Sequence, residues 1–145
     1  MHLTPRHIIL CAAAIGACLA VAGCSSTSTL RADELQRGVQ TIGSDAAEGR
    51  LVALGVAEER TKTTFTRVQA GDLAEDATHE AEKLHDAHAI GDVADIRSQA
   101  VTLAQDVASA LGDLQVAPDD PDAARRTARR LDALSSRASR LAGEL

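Results

Sequence analysis

Along residues 30–145 the apolar positions recur in steps of three and four, the period of a helix that buries one face. Leu35, Val39, Ile42, Ala46, Gly49, Ala53 and Val56 form a first row. Leu51, Leu54, Phe65 and Val68 form a second row that carries it toward Gly71. The pattern allows one long helix over residues 30–70 with a weak point near Gly43, or two helices. Gly43-Ser44-Asp45, with Glu48 three residues after Asp45, has the spacing of a capping box for the second case. The continuous apolar spacing favours the single long helix.

Gly71-Asp72 predicts a break, with Asp72 as an N-cap. The next helix buries Leu73, Ala77, Ala81 and Leu84 and ends near Gly91, where Asp92 is placed to cap a third. The third has the clearest stripe: Val93, Ile96, Ala100, Leu103, Val107, Leu111 and Leu114 stand opposite Asp95, Ser98, Thr102, Asp106, Ser109 and Asp113. It is expected to end between Gly112 and Val116. Pro118-Asp119-Asp120-Pro121 predicts a loop and a new helix start, with Asp120 at the N-cap and Pro121 at the first helical position. The last helix sets Ala124, Ala128, Leu131, Leu134, Ala138 and Leu141 against a face of arginines. Short connections favour antiparallel neighbours. The expected fold is all-α: an up-and-down antiparallel bundle of about four helices, the first one long.

Composition supports this. The chain has one Phe and no Trp or Tyr, so its core must be built from Leu, Val, Ile and Ala. Ala and Leu are strong helix formers, whereas strands favour aromatic and β-branched residues. Phe65 is expected in the core. The formal net charge of −6 argues against general nucleic-acid binding. The charge is uneven. Residues 72–95 are acid-rich, and the last helix carries Arg125, Arg126, Arg129, Arg130, Arg137 and Arg140.

The first residues differ from the rest. Arg6 precedes an uncharged apolar run, Ile8–Ala22, that is short for a spanning helix. A basic start, a short apolar run and small residues at its end form the pattern of an export signal. Val21-Ala22-Gly23-Cys24 resembles the lipobox of bacterial lipoproteins: a branched apolar residue, two small residues and a Cys. The resemblance implies a diacylglyceryl group on the Cys24 thiol and cleavage just before that residue. It also implies anchorage at the extracytoplasmic face of the cell membrane. On that reading, 1–23 is a signal peptide, 24–29 an acylated Cys with a Ser/Thr tether, and 30–145 the bundle. The tether reaches little more than ~10 Å, which keeps the domain near the bilayer. Cys11 and Cys18 leave with the signal and Cys24 is blocked, so the mature domain has no disulfide or free thiol.

Specific chemistry is sparse. Glu82, His85 and His88 run along one side of the second predicted helix, with His79 pointing away from His88. Glu82 and His85 have the Glu-x-x-His spacing of di-iron bundles, but no second such pair follows. These three are weak candidates for zinc or copper; solvated histidines on an acidic helix are the simpler account. The six arginines are candidates for contact with an anionic surface such as lipid headgroups, for a patch that takes an acidic partner, or for a solvated face partly paired with the acidic second helix. No catalytic constellation, phosphate loop or cofactor motif is present, so neither enzyme activity nor a cofactor is expected. The expected role is a membrane-anchored, non-catalytic interaction or structural module of the cell envelope, with an envelope protein as partner. The alternatives are a weak metal binder and a carrier of an apolar ligand.

Overall fold

The computed structural model describes residues 29–145 as four helices: α1 (Ala32–Ala57), α2 (Thr63–Asp86), α3 (Asp92–Val116) and α4 (Pro121–Ala142). They form an all-α antiparallel bundle joined by short loops. α1 lies closest to α4, and α2 closest to α3. The α1/α2 and α3/α4 seams are sparser, and α1 also reaches α3 across the centre. α2 and α4 are diagonal and do not meet. Among the described residues, no helix is long and apolar enough to cross a membrane. The lipobox and most of the tether lie outside the described residues.

Each helix buries one stripe. Leu35, Val39 and Ile42 of α1 meet Leu73 and Leu84 of α2, Leu103, Val107 and Leu111 of α3, and Leu131 and Leu141 of α4 in one cluster. A smaller cluster, with Val52, Val56, Ala70, Leu114 and Ala128, closes the end holding the α1–α2 and α3–α4 loops. Small side chains let the helices approach. A Cβ added at Gly49 would run into Leu111 and come within 3.3 Å of Leu131 Cδ1.

The predicted division of the first half is corrected. Residues 30–70 are not one helix, and Gly71-Asp72 is not a break. α1 passes through Gly43 unbroken, and α2 passes through Gly71. The chain turns instead at residues 58–62. There Glu59 takes a left-handed φ of 56°. Its N–H donates to Val56 O at 2.9 Å, and Arg60 N–H donates to Gly55 O at 2.9 Å. This is a Schellman stop, which sequence usually announces with Gly. Helical phase is not carried through such a turn. The α2 residues that face inward are Thr66, Ala70 and Leu73, leaving Phe65 and Val68, with Leu51 of α1, exposed. The expectation that Phe65 is core is therefore wrong.

The α2–α3 junction is also corrected. α2 stops at Asp86, and the N-cap of α3 is Gly91 at φ +60°, with Asp92 already inside the helix. Arg97 of α3 donates through Nη1 to His85 O at 3.2 Å and to Ala87 O, satisfying carbonyls that α2 leaves open at its end. The α4 start is as expected: Asp120 accepts from Asp122 N and Ala123 N, both at 2.9 Å, and Pro121 follows.

Candidate functional site: the arginine face of α4

α4 is the most strongly amphipathic element of the bundle. Ala124, Ala128, Leu131, Leu134, Ala138 and Leu141 are buried, and the arginines point away from them. Arg125 donates to Asp122 Oδ1 at 2.6 Å and to Ala57 O at 3.1 Å, tying α4 to the end of α1. Arg130 reaches Asp113 Oδ2 at 3.2 Å, and Arg137 reaches Asp106 Oδ2 at 3.4 Å, both across the α3/α4 seam. Arg50 of α1 pairs with Asp132 at 3.0 Å on the opposite flank. Arg126, Arg129 and Arg140 are exposed and have no carboxylate within ion-pair distance among the described residues.

The expected pairing of this face with the acidic second helix is overturned. α2 and α4 are diagonal, so the carboxylates that meet this face come from α3, at Asp106 and Asp113, and from α4 itself, at Asp122. Sequence placed Asp106 and Asp113 on the polar side of α3, but which helix that side would face depended on the packing. Between α1 and α4, Arg50, Arg125 and Arg129 line a shallow groove of about 200 Å³, with Leu54, Ala128 and Asp132.

Comparison with known proteins returned no matching family model, no matching curated protein and no matching solved structure.

The histidine candidates are only partly brought together. Glu82 and His85 share an open groove of about 400 Å³ between α2 and α3, beside Gln105. His88 lies beyond the end of α2, so the helical angle that set it beside them does not apply. Its carbonyl accepts from Leu30 N at 2.7 Å instead. No group of three or more His, Cys, Asp or Glu among the described residues is placed to hold a metal ion. A further open groove, about 420 Å³, is lined by Glu34, Arg37 and Lys83 as well as Leu30, Leu84 and Ala87. Three ionisable side chains in its wall do not suit an apolar cargo.

One polar feature escaped sequence reading. Asp45, on α1, faces α2 with its Oδ2 buried and without a hydrogen-bond partner. Burial, then the nearby carboxylates of Asp76, Glu48 and Glu80, push its pKa up to about 6. Asp76 and Glu80 were visible in the acid-rich stretch and Asp45 and Glu48 as a capping-box spacing, but only the α1/α2 packing shows that they gather. Asp120 shows the reverse: the hydrogen bond from Ala123 N–H holds its carboxyl below the usual range.

Proposed function

We propose that this chain is a bacterial lipoprotein whose acylated Cys24 holds a non-catalytic helical interaction module at the extracytoplasmic face of the cell membrane. The observation that carries this reading is the run Val21-Ala22-Gly23-Cys24 after a short apolar segment. The fold is compatible with it. Leu30 N–H donates to the loop after α2, and Gln36 Nε2 donates to Ala142 O at 3.0 Å. The chain therefore joins the bundle at the end that holds the α4 C-terminus. A tether there leaves all four long sides of the bundle free for a partner protein. Two acyl chains would hold such a module stably, where one is marginal.

The test is intact-mass spectrometry of the protein extracted from its own membrane. The expected product begins at Cys24 and carries at least two acyl chains, and Cys24→Ala moves the protein out of the acylated pool. A chain that retains Met1, or an unmodified Cys24, refutes the anchor. Cross-linking in intact envelopes tests the second half of the proposal. Recovery of the acylated chain with no cross-linked protein at all would count against an interaction role.

A further inference from the structure

The charges of the bundle are segregated by helix. α4 carries six Arg against two Asp, and α2 carries six acids against Arg67 and Lys83. α1 and α3 also hold more acids than bases, so α4 is the one positive helix among those described. α2 and α4 occupy diagonal corners, so within one chain these two faces cannot neutralise each other. Much of the charge is left over. Asp72, Glu75, Glu82 and Asp86 on α2 are exposed and outside every ion pair among the described residues, as are Arg126, Arg129 and Arg140 on α4.

We propose that the occupant of the arginine face of α4 is the acidic face of α2 from a second copy of this chain. Charge complementarity between the two faces is the first argument. The second is direction. In an up-and-down bundle α2 and α4 run the same way, both toward the end at which the chain joins the fold. Copies held by that end in one membrane share an orientation, so simple translation sets α4 of one beside α2 of the next. This step rests on the lipid-anchor reading. The third argument is the character of the α4 surface. Between the arginines it exposes Ala133, Ser136 and Ser139, with no large apolar group to enter a bilayer.

The diagonal placement also fixes the symmetry. A copy cannot offer both faces to the same neighbour. The contact is therefore head-to-tail, which gives open rows and not a closed dimer. Exposed ion pairs each contribute little. The rows are therefore weak in free solution and need the high local concentration that a shared surface supplies.

The experiment uses the acylated full chain, its acylation checked by intact mass. Donor- and acceptor-labelled copies are reconstituted into phosphatidylcholine vesicles. Energy transfer is compared with the level for randomly placed copies at the same density. Wild type is expected to exceed the random level at 0.1 M salt. The excess should fall at least ~fivefold at 1 M, where the Debye length has shrunk from about 10 Å to about 3 Å. Arg126→Gln with Arg129→Gln, and separately Glu75→Gln with Glu82→Gln, each return the signal to random. All four positions are exposed, and far-UV circular dichroism is expected to be unchanged. With the donor on one variant and the acceptor on the other, mixing raises the signal above random but below wild type, because the intact α2 face of one and the intact α4 face of the other form isolated pairs that cannot extend into rows.

Wild type at the random level, an excess indifferent to salt or to either pair, or a mixture that stays at the random level would each overturn the proposal. So would an excess that needs added phosphatidylglycerol, which would reassign the arginines to lipid headgroups. An unacylated preparation would condemn the anchor reading, whereas random placement of acylated copies would condemn this one.

Discussion

Asp45 is the residue whose environment differs most from what its position in the sequence suggests. An Asp three residues before a Glu reads as a helix cap, yet it sits in the middle of α1 against Asp76 and Glu80 of α2. Its Oδ2 is buried without a donor, and burial with three neighbouring carboxylates favours the neutral acid. The unfolded chain ionises Asp45 near 3.8, and the folded chain only near 6. The folded state therefore holds more protons between those values, and this group's contribution to stability falls as pH rises through them. It is fully present below pH 3.8 and fully lost above about pH 6. Asp45→Asn removes the titration. At pH 7 it is expected to raise stability by roughly 1–2 kcal/mol, a figure reduced for solvent screening at a partly exposed seam. At pH 4 the gain should nearly vanish. Urea unfolding of both proteins at the two pH values checks this, and an equal difference at both would show that ionisation of Asp45 is not the cause.

At the scale of the element, the ends of helices were less legible than their faces. Asp120-Pro121 was readable because each side chain announces its role: the carboxylate caps free N–H groups, and the ring fits the first turn. The end of α1 was not, because Glu59 occupies a conformation that sequence usually marks with Gly. A left-handed φ costs an L-residue roughly 1–2 kcal/mol, supplied here by the two closing hydrogen bonds and the packing of both helices. Glu59→Gly removes that strain but loosens the unfolded chain. A net stabilisation of about 0.5–1 kcal/mol is expected. A lower melting temperature for this variant would contradict the stop described at residues 58–62. The same turn explains Phe65. Its row in the sequence belongs to the phase of α1, and the turn reset that phase before α2 began.

For the whole molecule, the close meeting of α1 with α3 and α4 is the feature that most constrains the fold. Gly49 stands where Leu111 of α3 and Leu131 of α4 converge, and both leucines are fully buried. Gly112, in the last part of α3, has nothing within 4 Å of an added Cβ. The same change should therefore have opposite signs. Gly112→Ala gains about 0.5–1 kcal/mol from helix propensity. Gly49→Ala gains the same but overpacks the centre by ~1–3 kcal/mol, and is expected to be destabilising overall. Thermal melts of the two variants measure this directly, and stabilisation of both would mean the centre is looser than described. The paired arginines matter less. Arg130 meets Asp113 at an exposed site and Arg137 meets Asp106 at a half-buried one, and such solvent-reached pairs steady the seam more than they strengthen it.

The sequence alone determined that this chain is helical and, within α3 and α4, which faces are buried. Those properties follow from spacing along a single helix: Leu103, Val107, Leu111 and Leu114 share a side whatever lies opposite. It also determined that α4 presents its arginines outward. Tertiary structure decided the rest, because neither the phase after a turn nor the neighbour across a seam is written in local spacing. It set α2 diagonal to α4 and so left part of each charged face unpaired. It also gathered Asp45 with Asp76 and Glu80, and moved His88 off the helix that would have aligned it with His85. Rotation and proximity of helices are settled by how Gly49, Ala138 and the buried leucines interlock, and that fit exists only once the bundle has formed.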